Sequence, residues 1–269
     1  MARYWRSGSV VVLAVLIALA GRSACGDERP STQDWLKQRL AEFREYRFTR
    51  EGAKPVELAM EPRSLLNWSN AERGTGEGGL FLWTDEGEPQ MIACAFELGG
   101  SVKHEFHSLS TSAIAAVRRG EAVHRFGPGI EWIEWAEGPK RARTPTLRLT
   151  QMRRQAERFR VTVGHQDWAE TRLLPQPVFR SPDSAEGDAA VFVFVQGTDP
   201  ECVLLLESSP EGTWRYALTR QTKFGLKAEL DGRLVREWSP KHRPETVPQT
   251  PFLVLVQQPP APPSAGDSR

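Results

Sequence analysis

Three side chains that together support nucleophilic catalysis lie close to one predicted hairpin. Gly99-Gly100 is a strong signal for a two-residue turn, because glycine adopts the positive φ that such a turn requires. A turn at this point places Cys94 opposite Glu105, with His107 on the same face of the sheet. A thiol beside an imidazole and a carboxylate is the combination that activates a cysteine nucleophile. The sequence therefore offers Cys94, His107 and Glu105 as catalytic residues, with the alternative that Cys94 is an ordinary core residue.

The two histidines of this segment do not have the spacing of a metal site. His104 and His107 are three residues apart in a predicted strand, so their side chains point to opposite faces. The zinc-protease pattern instead places two histidines four residues apart on a helix. We therefore predict no metal site. Because the sequence also lacks a dinucleotide fingerprint and a Cys-x-x-Cys pair, we predict no cofactor.

A second candidate site is an arginine-rich segment that could bind an anion. The stretch "KRARTPTLRLTQMRRQAERFR" is strongly basic and has helical periodicity over residues 146–160. Guanidinium groups on such a helix suit an anion, which in an exported protein would be a sulfated glycan, a lipid headgroup or a cell-wall phosphate. The candidates are Arg148, Arg153, Arg154 and Arg158. The alternative is a solvated helix face whose arginines pair with nearby acidic residues.

The N-terminus predicts export. Arg3 and Arg6 precede the short apolar run "VVVLAVLIALA", and small residues follow it, which is the pattern of a secretory signal peptide covering residues 1–26. We therefore expect a periplasmic, cell-envelope or secreted protein. An uncleaved signal, or lipidation of Cys25 in "SAC", would be the only link to a membrane.

The composition is that of a folded protein with no bias towards a particular partner. The chain has 269 residues, of which 39% are hydrophobic, and its 35 basic residues balance 34 acidic ones. This balance does not favour nucleic acid as a partner, and the sequence names no other. Export leaves Cys94 and Cys202, which could form a disulfide, but both lie in apolar runs and we favour two buried free thiols.

The pattern of the chain predicts an α+β fold with a largely antiparallel sheet and about three packed helices. The predicted helices are residues 31–48, 110–120 and 144–160. A single globular domain is expected over residues 27–256, with sub-regions at 55–140 and 160–256 and a disordered tail at 257–269.

The stretch "VFVFVQGTDPECVLLLE" predicts two central strands joined by a hairpin turn at Asp199-Pro200. Both faces of each strand are apolar, as expected for a sheet that is covered on both sides. The stretch "FLWTDEGEPQMIACAFE" has the same layout. This echo raises the hypothesis of two related half-sheets, although unrelated hairpins can converge on the same pattern.

The stretches "RLLPQPVFR" and "FVQGTDPE" resemble an uncharacterised family of exported bacterial proteins, most clearly over about residues 146–220. The resemblance implies export and a shared fold. It implies no activity, substrate or site.

Three functions are compatible with these observations. The first is a non-catalytic binding or structural protein of the cell envelope, because no catalytic motif is present. The second is an exported hydrolase or transferase that uses Cys94, His107 and Glu105. The third is an anion-binding protein that uses the arginine-rich helix.

Overall fold

The computed structural model describes residues 31–70, 74–135, 138–164, 167–181, 187–209, 211–240 and 249–257. All of them belong to one unit, Ser31–Arg269. The predicted signal peptide, including Cys25, lies outside the described residues. So does the predicted tail beyond Gln257, which is itself the last residue of a strand.

The described chain consists of two halves that repeat the same order of elements. The first half contains α1 (Thr32–Phe43), β1 (Tyr46–Arg50), β2 (Val56–Glu57), β3 (Ala59–Met60), β4 (Leu66–Asn70), β5 (Thr75–Asp85), β6 (Glu88–Leu98), β7 (Ser101–Ser108), β8 (Ile114–Arg118), β9 (Glu121–Phe126) and β10 (Ile133–Trp135). The second half contains α2 (Pro145–Ala156), β11 (Phe159–Gly164), β12 (Trp168–Glu170), β13 (Arg172–Leu173), β14 (Phe179–Arg180), β15 (Asp188–Gln196), β16 (Asp199–Ser208), β17 (Trp214–Arg220), β18 (Gly225–Leu230), β19 (Arg233–Trp238) and β20 (Phe252–Gln257).

Each half forms an outer sheet of four strands and supplies five of the six strands of an inner sheet. The first outer sheet has the order β2-β1-β8-β9, and the second has the equivalent order β12-β11-β18-β19. The first inner sheet has the order β20-β7-β6-β5-β3, and the second has the order β10-β17-β16-β15-β13. In addition, β4 pairs with β5, and β14 pairs with β15.

The two halves exchange their last strands. β10 is the last strand of the first half but pairs with β17, and β20 is the last strand of the second half but pairs with β7. Because β7 and β17 occupy equivalent positions, the exchange is reciprocal. Each inner sheet is therefore completed by the other half.

The repetition extends to the irregularities of the sheets. The β5–β6 pair shifts register between Trp83 and Thr84, and the β15–β16 pair shifts between Phe194 and Val195. In each pair the residue after the shift is opposite a proline, Pro89 or Pro200. A bulge is where a sheet accommodates a residue without an N–H donor. Equivalent residues of these two hairpins are thus 111 positions apart.

Three apolar cores hold these layers together. In each half, the helix, the outer sheet and one face of the inner sheet enclose a core of their own. The remaining faces of the two inner sheets meet in a third core, to which Leu80, Leu82 and Ile92 contribute from the first half and Val191 and Val193 from the second. Strands β15 and β16 are covered on both sides, as their sequence predicts.

Both helices begin at a capping residue, and the predicted turn at Gly99-Gly100 is confirmed. The Ser31 hydroxyl accepts a hydrogen bond from the backbone N–H of Asp34, and the Thr144 hydroxyl accepts one from Leu147. Gly99 and Gly100 both have positive φ in a two-residue turn, so the register of β6 and β7 is the one predicted.

The prediction of three helices is wrong. Of the predicted segments, 110–120 contains no helix but the strand β8 (Ile114–Arg118), which pairs with β1 on one side and β9 on the other. Its alanines favour a helix locally, but burial of Ile114 and Ala116 in the first core decides for a strand. The described residues therefore contain two helices, neither long and apolar enough to cross a membrane, and the protein is β-rich rather than clearly α+β.

The predicted turn at Asp199-Pro200 also lies elsewhere. The hairpin between β15 and β16 is present, but its turn is Gly197-Thr198, and Asp199 and Pro200 already belong to β16. Gly197 has a φ of 61°, which a side chain would disfavour. The bulge beside Pro200 explains why a proline is tolerated within the strand.

A buried ion pair cluster attaches α2 to the second inner sheet. Arg148 Nε donates to Asp188 Oδ2 at 2.7 Å, and Arg180 Nε donates to Asp188 Oδ1 at 2.8 Å. Burial by itself would raise the pKa of Asp188, but the hydrogen bonds from Arg180 and Arg148 outweigh it and lower the pKa. Asp188 is thus ionised and neutralises the guanidinium group of Arg148, which would otherwise be buried without a negative charge beside it.

Substitution of Asp188 should be strongly destabilising. Asp188→Ala leaves the buried Arg148 without its carboxylate, so we expect urea unfolding to show a loss of about 3–5 kcal/mol. The control is Glu170→Ala, which breaks an exposed pair with Arg160 and should cost about 0–1 kcal/mol. Equal effects of the two substitutions would contradict a structural role for the cluster.

Candidate functional site

A pocket of about 430 Å³ lies where the first inner sheet meets two loops of the second half. We call it the main pocket. Its volume is within the range of sites that bind small molecules. The first half and β20 supply most of the apolar wall, and the second half supplies the start of β16 and the segment after β17. The lining residues used below are Trp68, Cys94, Phe96, Leu98, Lys103, Glu105, Asp199, Gln221, Lys223, Phe224, Val254 and Val256.

The structure brings the predicted catalytic residues together on one face of β6 and β7. Cys94 is opposite Glu105, and Ile92 is opposite His107, as the turn at Gly99-Gly100 predicts. Glu105 Oε1 and His107 Nε2 are 2.7 Å apart. The Cys94 thiol donates to the side-chain oxygen of Gln221 at 3.5 Å. The three residues share a site, but the thiol is bonded to an amide that the sequence analysis did not select.

The environment of Cys94 opposes its use as a nucleophile. Burial raises the pKa of the thiol well above its ordinary value, and the negative charges of Glu105, Asp199 and Glu201 raise it further. Reactive cysteines have a lowered pKa, usually beside a cation or a helix N-terminus. Cys94 is therefore a protonated thiol at neutral pH.

Burial also changes the charge of Glu105. Its side chain is almost fully buried, which raises the pKa of the carboxyl group to about 8, although Arg220 and Lys223 act in the opposite direction. The carboxyl group is therefore largely protonated at neutral pH. The main pocket thus contains a neutral acid within hydrogen-bond distance of His107.

Two buried N–H donors at the main pocket have no hydrogen-bond partner among the described residues. They are Nε1 of Trp68 and Nε2 of Gln221. The Trp68 ring lies directly against Gly78, where a Cβ atom would come within 2.3 Å of the indole. Gly78 therefore provides the space that lets Trp68 form part of the pocket wall.

The repetition of the two halves creates a second pocket at the equivalent position. Its volume is about 640 Å³. Equivalence follows from the shared bulges and strand register. Trp68 corresponds to Ser181, Cys94 to Leu205 and Phe96 to Glu207. Lys103 corresponds to Arg215, Asp199 to Glu88 and Gln221 to Leu109. All six counterparts line the second pocket.

Three polar groups at or beside the main pocket are not repeated at the equivalent positions of the other half. The position of Glu105 is occupied by Ala217, that of His107 by Thr219, and that of Gln221 by Leu109. The same backbone arrangement therefore forms without a buried acid, imidazole or amide. The backbone arrangement therefore does not require these groups, of which Glu105 and Gln221 line the main pocket.

The arginine candidates do not form one anion site. Arg148 is buried and bonded to Asp188, whereas Arg158 pairs with Asp231 and stacks over Trp135. Arg153 and Arg154 lie in the last turn of α2, the first half-buried and the second exposed. The structure separates Arg148 from the surface on which the other three were expected to act with it.

Sequence reasoning found Cys94, Glu105 and His107 but missed Trp68, Gln221 and Lys223. The first three lie in one hairpin, whose turn is visible in the sequence. Gln221 is 127 positions from Cys94, and only the packing of the two halves brings them together. No local pattern in the sequence marks Trp68 or Gln221 as pocket residues.

The fold and the pocket define a class: an antiparallel β protein of two repeated halves that encloses a mainly apolar pocket with a few buried polar groups. Within the part of the chain that the structure describes, no group of His, Cys, Asp or Glu could hold a metal ion. Cys94 and Cys202 are both free and buried, as favoured above. No protein-family model, curated protein or solved structure matches this chain.

The thiols should be unreactive in the folded protein. In a Cys25→Ser variant, whose only thiols are Cys94 and Cys202, a disulfide reagent should modify neither residue until denaturant is added. The reason is that both groups are buried and both have a raised pKa. Rapid modification of Cys94 under native conditions would contradict this prediction and restore the nucleophile hypothesis.

Glu105 should make the protein less stable as the pH rises. Its pKa is about 8 when folded and lies near the ordinary value of 4.5 when unfolded, so the unfolded chain binds fewer protons between these pH values. The stability of the wild type should therefore fall by a few kcal/mol from about pH 5 to about pH 8, relative to Glu105→Gln. Urea unfolding at several pH values measures this difference. An exposed control, Glu121→Gln, should keep the wild-type profile.

Proposed function

We propose that this protein is an exported, non-catalytic binding protein that takes a small and mainly apolar molecule into the main pocket. The observation that carries the proposal is the combination of an apolar wall with an apolar rim. Phe96, Phe252 and Val254 form part of the wall. Small-molecule sites have this character, in which apolar side chains supply most of the surface and a few polar groups fix the orientation.

The rim of the main pocket exposes apolar side chains that the fold does not bury. Leu98, Phe224 and Val256 line the pocket and are 40%, 39% and 58% exposed. They account for half of the six large apolar side chains that are exposed among the described residues. A concentration of exposed apolar surface at one opening is typical of a ligand site.

The chemistry of the pocket favours binding over catalysis. The Cys94 thiol is protonated and its hydrogen bond is directed to Gln221, so no activated sulfur nucleophile is present. The hydrolase or transferase alternative would need a thiolate at this position. The anion-binding alternative would need Arg148 at the surface. Arg148 is instead buried and paired with Asp188.

Export is the part of the proposal that rests on the sequence. The basic residues and apolar run at the N-terminus, which have the pattern of a signal peptide, support a binding step outside the cytoplasm. A periplasmic, cell-envelope or secreted protein could hold an apolar molecule that is poorly soluble in water.

The apolar rim should control affinity for an uncharged apolar probe. We expect N-phenyl-1-naphthylamine to bind saturably with enhanced fluorescence, and Phe224→Ala and Val256→Ala to weaken binding by about threefold to tenfold each, because less apolar surface is buried. Leu147→Ala and Leu234→Ala are matched controls, since both residues are exposed and neither lines the main pocket. A lack of saturable binding, or equal losses in all four variants, would overturn the proposed function.

A further inference from the structure

We propose that the molecule bound in the main pocket carries a carboxylate group, and that the N–H groups of Gln221 and Trp68 hold this group while the apolar part extends towards the rim. The inference rests on the proposed function and specifies the chemistry of its ligand. It makes the protein a binder of small apolar carboxylic acids.

The first argument is the pair of unpaired donors. Gln221 is 4% exposed and Trp68 is 5% exposed, and their N–H groups lack a partner within the described ranges of the chain. A buried donor without an acceptor destabilises the fold, so proteins rarely retain one without a reason. These two come from different halves of the chain yet line the same pocket. A ligand oxygen that accepts from both would satisfy them.

The second argument is that the fold does not need these donors. Leu109 occupies the position of Gln221 in the other half, and Ser181 occupies that of Trp68. The backbone bond at the first position is retained: the Gln221 N–H donates to Glu201 at 2.7 Å and the Leu109 N–H donates to Gln90 at 2.8 Å. The repeated half therefore shows that an apolar side chain serves the fold equally well at position 221.

The two ends of the Gln221 amide have different partners. Its oxygen accepts the hydrogen bond from the Cys94 thiol, which leaves the nitrogen as the group available to a ligand. Because the protonated thiol donates to the amide oxygen, it holds the Gln221 amide with its oxygen towards Cys94 and its nitrogen away from it. Cys94 is in this view a positioning residue for Gln221 and not a nucleophile.

The third argument is charge. The charged side chains that line the main pocket are Lys103, Lys223, Asp199 and Glu105. Burial raises the pKa of Glu105 to about 8, so this carboxyl group is largely neutral at pH 7. Two positive charges against one negative charge at the lining leave room for one further negative charge. A carboxylate complements this excess, whereas an ammonium group would not.

A series of three ten-carbon compounds tests the head group. Decanoate, decan-1-ol and decylamine share the apolar chain and differ only in the polar group. In calorimetric titrations of the full-length protein, each below its aggregation limit, we expect decanoate to bind at least about tenfold more tightly than decan-1-ol, and decylamine to bind most weakly.

Two variants test the donors. Gln221→Leu copies the residue of the other half, and Trp68→Phe keeps an aromatic ring but removes the N–H group. Each should weaken decanoate binding by about tenfold and change decan-1-ol binding by less than about twofold. Gln221→Leu should be as stable as the wild type or more stable, because it removes an unpaired buried donor and copies the apolar residue of the other half. Ser181→Ala, the matched change at the Trp68 position of the other half, should leave decanoate binding unchanged.

The outcomes separate this inference from the proposed function. If all three compounds bind equally well, or if the two variants lose alcohol and acid binding alike, the carboxylate inference is overturned and the apolar pocket stands. Tighter binding of decylamine would also overturn it. If none of the compounds binds, both the inference and the proposed function fail. A loss of stability in Gln221→Leu would assign Gln221 to the fold and overturn the role given to it here.

Discussion

The structure depends on burial of two apolar sheet faces against each other. Strands β5 and β6 of one half and β15 and β16 of the other supply these faces, and each strand is also covered on its opposite side by its own half. A sheet covered on both sides must be apolar on both sides, which explains the unbroken hydrophobic runs of the sequence. The exchange of β10 and β20 joins the halves further, because neither inner sheet is complete without a strand from the other.

This arrangement produces two equivalent pockets, and the chain uses them differently. At the main pocket, apolar residues from the first half and β20 meet the segment after β17. At the second pocket, the positions of Phe96 and Lys103 are occupied by Glu207 and Arg215, which pair with each other at 2.7 Å. A repeated backbone therefore provides an internal comparison. Where the two halves agree, the residues serve the fold; where they differ, as at Gln221 and Leu109, the difference is open to function.

The polar groups of the main pocket are costly to bury. Glu105 loses its charge at neutral pH, Cys94 is held as a thiol, and two N–H donors are left without partners among the residues that the structure describes. Asp188 shows the contrasting solution, in which a buried acid stays ionised because two arginines donate to it. The fold therefore supplies hydrogen-bond partners to buried polar groups where these hold the structure together. The N–H donors of Trp68 and Gln221 lack such partners among the described residues, which agrees with a bound molecule as their partner.

The sequence by itself determined the local geometry, and tertiary structure decided everything that depends on distant partners. The glycines at 99 and 100 set a turn, and the alternation of a strand then placed Cys94, Glu105 and His107 on one face, because these rules act between near neighbours. The same local rules wrongly predicted a helix for the alanine-rich β8 and a surface anion site that includes Arg148. The segment is a strand because it is buried between β1 and β9. Arg148 is not available at the surface because it is hydrogen-bonded to Asp188, 40 positions away. The pKa values and the pocket itself follow from burial and from contacts such as that between Cys94 and Gln221, which exist only once the two halves have packed together.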